Sequence, residues 1–520
     1  MKRNLFASLV GIVLVVATAC APAAAPGAVQ QPDQKPNVPQ TMVWGAAVEM
    51  PTLHPFVTAA GTQRRYDIYD LLIALDSAGK PGPMLATSWK LLDEKTWEFT
   101  IRSDVKFHDG TPLTSEDVAY SYNIAKDPNK KYSITTRAKT IASAEAVNAT
   151  TVRIKTLDPD PIFLRRAALI TVLPKAHLEK VGDDLFGQKP VGSGPFKVRE
   201  FVVNSHLILD GVMEHPFRKP TLTQVTVRFI PDAAARSAGL RTGELDFVDS
   251  FPVESMPQIQ AMGLKTVSID SGTSKGYWVD TVLNDGPTPE VTRDKRVRQA
   301  INYAIDKDLI VKNIYFGLTK VEQCQVIQPE TFGFNPNLKP YPYDPAKARQ
   351  LLQAAGATGA KVQMDLLKSS SQGEPIALFV QDQLKAVGLD AQINVLGDYA
   401  VFRDKFYGIQ PRSALFPPGL NNQPLMDADG ALTWFDSTQL GGARHYDNPD
   451  FQRYYKAASI EMDETKRRDL IWKALEVFCE DPPYLFLVQD LKIWAYRPVL
   501  DGLDKRVDRE PRLDGIKRIG

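Results

Sequence analysis

The stretch FHDGTPLTSEDVAYSYN, residues 107–123, sets a histidine, an aspartate and a glycine beside a run of hydroxyls and acids. Those residue types can do acid–base chemistry, and His108 with Asp109 is the pair that would begin it. Ser103-Asp-Val-Lys106 just upstream matches S-x-x-K, Ser121-Tyr-Asn123 matches S-x-N, and Arg241-Thr-Gly243 approximates K-T-G. Such a set would supply a nucleophilic serine with a lysine to activate it.

The elements that would have to position these groups argue otherwise. VKF closes a strand, HDGTP is a turn punctuated by Gly110 and Pro112, and TSEDVAYSY starts a helix. Thr114 is the candidate N-cap, and Glu116 and Asp117 occupy the first turn, where the helix dipole favours anions. The plainer role for His108 is a turn residue bonded to nearby backbone. The three short motifs resemble a penicillin-recognising serine hydrolase, but that serine should open a helix so that the lysine falls one turn later. Here it sits in a strand-like segment, and Ser121 follows too soon for the intervening domain. A secreted hydrolase is therefore the remote alternative. The six histidines, at 54, 108, 177, 206, 215 and 445, show no metal-site spacing. VGSGPF (191–196) is no nucleophile elbow, and there is no P-loop. No catalytic constellation, resident metal or cofactor is expected.

Strand and helix patterns alternate from residue 41 onward. TWEFTIR places Trp97, Phe99 and Ile101 on one face, and QVTVRFI does the same with Val225, Val227 and Phe229. Residues 361–396 read as a βαβ unit, with Gly388 ending the helix. In YDPAKARQLLQAAG, Asp344 is an N-cap, Pro345 occupies the first turn and Gly356 ends the helix. In RDKRVRQAINYAIDKDLI, Val297, Ala300, Ile301, Ala304 and Ile305 share one face, and Arg296, Arg298, Lys307 and Asp308 read as a solvated charged face.

At 520 residues the chain exceeds a single core, so two or three lobes are expected. A formal charge of +1 provides no basic field for nucleic acid. The N-terminus has the pattern of a secretory signal over residues 1–19: Lys2 and Arg3, an apolar run, then small residues. The run ends at Cys20, which resembles a bacterial lipoprotein processing site, with Ala17 where leucine is more usual. Cys20 would be the lipidated residue, and residues 20–40, rich in Ala, Pro and Gln, would be an extended tether. Cys324 and Cys479 could pair outside the cytoplasm, which spacing alone does not decide.

Six blocks then resemble one family in register, the oligopeptide, dipeptide and nickel type of extracytoplasmic solute-binding proteins of ABC importers. They are LHPF (53–56) with YDLL…DSAGKPGPMLATSWKL, then WEFTIRSDVKFHDGTPLTSEDVAYSYN, PVGSGPFKV (190–198), RFIPDAAARSAGLRTGELDFV (228–248), RVRQAINYAIDKDLI (296–310) and YDPAKARQLLQAAG (343–356). The resemblance implies an α/β, two-lobed, periplasmic-binding-protein-like (Venus-flytrap) fold with an extra inserted α/β domain. Lobe I would take residues 41–55, 185–280 and 487–520, the inserted domain 56–184, and lobe II 284–486. The chain would cross between lobes near 280 and 486 and so could hinge. The protein would be an extracytoplasmic monomer, lipid-anchored to the outer face of the cytoplasmic membrane. It would carry a peptide or another polar solute to an ABC permease. A sensory role for the same fold stays open.

Matched positions supply candidate ligand contacts. Glu49, Met50 and Thr52 would occupy the first strand and its exit, Tyr132 belongs to the inserted domain, and Tyr277 and Asn284 lie at the first crossing. Tyr399 and Phe402 match aromatic and apolar pocket positions, and Trp434 could stack on a sugar. Peptide-binding relatives carry an aspartate in a second-lobe loop that pairs with the peptide amino terminus. The corresponding stretch RSALFPPGLNNQPLMDADG (412–430) offers instead Asn421, Asn422 and Gln423, with Asp427 or Asp429 as possible substitutes. A buried ammonium without an anion is strongly unfavourable. An oligosaccharide or other non-peptide cargo therefore stands as the alternative.

Overall fold

The computed structural model describes residues 39–57, 66–76, 79–130, 132–281, 290–367, 373–397, 399–406, 413–417, 420–421, 425–438, 446–503 and 510–520. Cys20, the tether before residue 39, Asn284 and Asn422 lie outside these residues. Of Tyr399 and Asn421 only the backbone is described.

Among the described residues the largest sheet has eleven strands. Its order runs from Asp390–Leu396 through Lys361–Leu367, Leu415–Phe416, Lys265–Val279, Tyr484–Tyr496, Phe247–Val248, Thr41–Ala46, Gln224–Phe229 and His206–Gly211 to Phe196–Val202. Leu420–Asn421 adds beside Lys265–Val279. The expected βαβ unit is present. Lys361–Leu367 runs parallel to Asp390–Leu396, the helix Gly373–Ala386 connects them, and Gly388 adopts a φ of 99° that a side chain would strain. Asp344 caps the helix Pro345–Ala354 by accepting from the Lys347 N–H at 2.9 Å.

The strands Lys265–Val279 and Tyr484–Tyr496 are long enough to serve two cores. Near one end Val267 pairs with Trp494, and Ile269 and Trp494 belong to a first core with Trp44, Tyr66, Phe99, Phe186 and Val225. Near the other, Tyr277 and Leu485 pair within a second core with Ile301, Leu352 and Val380. Their neighbours Trp278 and Tyr484 point to the opposite face, into a third core with Phe435, Phe451 and Phe478. The ladder is interrupted between these ends. Asp270 pairs with Leu491 and Ser274 with Gln489, so three residues on one strand face Asp490 alone. Cys324 and Cys479 form a disulfide, Cα to Cα 5.0 Å, within the third core.

A separate four-stranded antiparallel sheet orders Ala86–Asp93, Thr96–Ile101, Thr151–Thr156 and Ile141–Asn148. The helix Ser115–Ala125 buries Val118, Ala119 and Tyr122 in the first core. Asp117 accepts from the Thr114 N–H at 3.0 Å and from its hydroxyl at 3.1 Å, closing the helix start.

One sequence expectation needs correction. The segment 295–313 is two helices, Lys295–Tyr303 and Lys307–Asn313, because Asp306 N-caps the second by accepting from the Leu309 N–H at 3.2 Å. The five apolar residues are buried as expected, but Arg298 and Lys307 are buried too. Arg298 donates to the Thr292 and Arg293 carbonyls and pairs with Asp481. Lys307 donates to the carbonyls of Asn302 and Tyr341, and burial pushes its ammonium down to about 7. Charges off an apolar stripe can still face a neighbouring element, which periodicity within one helix does not reveal.

Candidate functional site

The stretch that first suggested chemistry is a structural joint. The His108 ring lies between two backbone groups of the VGSGPF segment. The Gly192 N–H donates to Nδ1 at 3.3 Å, which leaves Nε2–H to donate to the Gly194 carbonyl at 2.9 Å. The His108 N–H also donates to the Gly192 carbonyl at 2.8 Å. Burial pushes the ring down to about 4, the neutral form that accepts at one nitrogen and donates at the other. Ser103 is exposed, outside any helix.

The structure gathers the candidate contacts into two clusters. In the first, Thr52 Oγ1 accepts from the His54 N–H at 3.1 Å, and Tyr132 donates to Asp183 at 2.6 Å. Tyr132 packs on the His54 ring with centroids 5.3 Å apart. His54 is fully buried, which pushes it down to about 4 although Asp183 at 3.5 Å pulls the other way. Met50 is buried in the same first core and Glu49 beside it is exposed, and both lie beyond the first strand, which ends at Ala46 and not, as expected, among them. The second cluster is aromatic. Phe402 stacks on Phe416 at 5.1 Å, Phe416 lies 6.2 Å from Trp278, and Trp434 lies 6.4 Å from Trp278. Tyr277 stands apart from both, buried in the second core, where burial raises its phenol. Asn421 pairs with Thr273 beside the ladder interruption.

Asp427 and Asp429, the possible ammonium partners, are occupied by the chain itself. Arg467 holds Asp427 through two hydrogen bonds of 2.6 and 2.8 Å. Arg166 reaches Asp429 at 2.8 Å, and Tyr455 donates to its other oxygen at 2.7 Å. Burial alone would raise the Asp429 carboxyl, but Arg166 and its neighbours hold it below the ordinary value.

Two groups escaped the sequence reading. Glu322 is buried beside the ladder interruption, where Ser274 Oγ and, at 3.2 Å, Gln328 donate to it. Arg165 and Arg166 bridge the small-sheet region to the segment at 425–429. Their signal was visible as a charged doublet inside the otherwise apolar PIFLRRAALI. No group of three His, Cys, Asp or Glu residues suited to a metal occurs among the described residues.

Comparison with known proteins adds to this geometry. Residues 80–436 match the family model described as bacterial extracellular solute-binding proteins, family 5 middle. The glutathione-binding protein GsiB of Escherichia coli K12 is 27% identical over 451 residues, 84% of this chain and 85% of that protein. The nickel-binding periplasmic protein of the same strain is 26% identical over 369 residues, 66% of this chain and 69% of its own length. Among solved structures, the periplasmic binding protein DppA of Helicobacter pylori, in complex with the peptide STSA, superposes with a TM-score of 0.80 at 23% identity. That match covers 92% of this chain and 98% of the other.

Proposed function

The chain belongs to the family 5 bacterial extracellular solute-binding proteins, the extracytoplasmic receptors of ABC importers and not enzymes, and on that premise we propose that it captures a peptide-like solute by hinge closure. Its lobes would be those expected from the sequence: 41–55, 185–280 and 487–520 against 284–486, with 56–184 riding on the first. The observation that carries this reading is the interrupted ladder between Lys265–Val279 and Tyr484–Tyr496. Two strands that lose their register can bend there, and the second core, which holds Ile493 and Ala495 on one side of the interruption and Tyr277 and Leu485 on the other, packs along the bend. Closure then follows from the ligand touching both sides, since only differential affinity shifts the equilibrium.

The cargo is gripped between the Thr52–Tyr132 cluster and the Phe402–Trp434 cluster, with Asn421 and Asn422 as neutral hydrogen-bonding groups. An extended peptide suits such a cleft because its main-chain amides can pair with strand edges. Side-chain pockets holding water then tolerate varied sequence. A second reading has a specific observation behind it: Asp427 and Asp429 are paired within the chain, which favours a cargo whose recognition needs no free ammonium. Lipidation at Cys20 would keep the receptor near its permease, several acyl chains making the attachment stable.

The test is a thermal-shift screen of the purified chain with glutathione, a free tetrapeptide, the same tetrapeptide N-acetylated, an oligosaccharide and nickel–histidine. A ligand that binds only the folded state raises the midpoint. The peptide reading expects both tetrapeptides to raise it. A rise with the oligosaccharide or nickel–histidine alone would overturn it, and the acetylated form decides whether an ammonium matters.

A further inference from the structure

The contact at Arg165 and Arg166 is built in a way that a permanent joint is not. Arg166 is buried between Asp160, at 3.1 Å on its own side, and Asp429, at 2.8 Å across the contact. Asp160 has further local donors, Thr140 Oγ1 at 2.8 Å and the Ile162 N–H at 3.1 Å. Asp429 likewise keeps Tyr455 on its own side. Arg165 donates to the Met426 carbonyl at 2.8 Å and the Leu425 carbonyl at 3.3 Å. Ile162 and Leu169 from one side and Leu425 from the other form a small apolar cluster. The segment 425–429 is fastened to the third core: the Phe332 N–H donates to the Met426 carbonyl, and the Ala428 N–H to the Phe332 carbonyl. Beside the seam lies a cavity of about 320 Å³ with Asp158 and Asp160 on one wall and Tyr455 and Ile460 on the other.

Arg166 and Asp429 each have a partner they would keep if the two sides separated, Asp160 and Tyr455, while Arg165, whose bonds to Leu425 and Met426 cross the contact, would pass to water. Opening exposes Arg166 and Asp429 to water without orphaning either. The apolar cluster is small, and the carbonyls that Arg165 caps would be rehydrated. Such a contact can form and break reversibly, because opening returns its charges to water and leaves none of them buried without a partner.

We propose that Arg165, Arg166, Asp429 and Leu425 form a latch across the jaws that holds part of the cargo-free population closed. The latch rests on the hinge reading above. By mass action, a receptor already partly closed binds more tightly, because apparent affinity scales with the fraction in the competent state.

The test needs no cargo. Spin labels at Asp158→Cys and Ile460→Cys, on opposite walls of the seam cavity, report its opening in the processed chain carrying Cys20→Ser. The latch predicts a short-distance population in the otherwise unaltered chain. Asp429→Asn, which keeps side-chain size, should lower the ratio of short to long distances about tenfold, and Arg165→Met should act in the same direction. Because Arg165→Met leaves both carboxylates paired, it answers the question even if Asp429→Asn does not fold. If folded variants match the unaltered chain while that chain already samples long distances, the hinge stands and the latch is wrong. A single short distance in every chain would sink the latch and the hinge together.

Discussion

Two buried arginines, each among aspartates, do different work in this molecule. Arg218 pairs with Asp67, with Asp70 at 3.1 Å and with Asp514 at 2.9 Å. His215 lies 3.3 Å from Asp70 and its Nδ1 accepts from the Arg218 N–H at 3.1 Å. The Leu513 N–H donates to Asp67 at 3.0 Å, drawing the C-terminal segment into the same knot. All three carboxylates share this one cation, and each also keeps another donor: the Leu513 N–H on Asp67, His215 on Asp70 and Arg512 on Asp514 at 2.7 Å. What differs is the cation's own position: Arg166 has Asp160 six residues away on its own side of the contact, whereas every carboxylate on Arg218 comes from a segment at least 148 residues distant. The lesson is that burial and ion pairing alone do not define a permanent joint. What matters is whether the cation would be left unsatisfied on separation.

The sharpest way to break this comparison is Arg218→Met. It leaves buried Asp67 and Asp70 without their guanidinium while Arg512 remains on Asp514, and removing one member of a buried pair typically destabilises by about 3–5 kcal/mol. Urea unfolding should show a loss of that order or no folded protein, and a loss near 1 kcal/mol would contradict the joint. Next, reduction of Cys324–Cys479, which closes a separation of 155 residues beneath the wall that carries Asp429, should lower stability by roughly 2–4 kcal/mol. Matched urea curves with and without dithiothreitol measure it.

Acid should separate the two regions. His54 and His108, both in or against the first core, are pushed down by burial to about 4, so between their unfolded value of 6.5 and about 4 the unfolded chain binds more protons. Stability is therefore complete above 6.5 and falls through that window by up to roughly 1.4 kcal/mol per pH unit for each ring. Asp429 is held below its ordinary 3.8, so the seam keeps its charge until the pH is lower still. Urea midpoints at pH 7, 5.5 and 4.5, with a shallower slope for His108→Gln, check the first part. Unchanged label distances over the same range check the second. The smallest effect belongs to Asp429→Asn. With Tyr455 still able to bond it and Arg166 still holding Asp160, folding stability should fall by only about 1–2 kcal/mol. A loss as large as that of Arg218→Met would erase the distinction.

Much of the architecture was legible beforehand. The βαβ unit at 361–396, the capped helix at 345–354 and the half-buried strand at 96–101 depend on local pattern, and Asp344, Gly388 and Phe99 act where the pattern assigns them. The turn role of His108 was also legible, because Gly110, Pro112 and the capping residues surround it. The solvated reading of Arg298 and Lys307 failed because their partners, Asp481 and the Tyr341 carbonyl, come from distant segments. The candidate contacts were chosen by position, and position could not anticipate that Tyr132 would meet Asp183 or that Trp434 would lie beside Trp278.

Six sequence blocks in register carried the family resemblance, while composition, periodicity and punctuation determined most of the strands and helices and the secretory leader pattern. They act over a few residues, within reach of local hydrogen bonds and side-chain periodicity. Only the tertiary structure decided which charge meets which. Arg166 finds Asp429 across 263 residues, and Arg218 finds Asp514 across 296. With 62 basic and 61 acidic side chains to choose from, that pairing is set by how the cores pack, because an ion pair depends on the separation of its charges in space and on the water around them and is indifferent to distance along the chain.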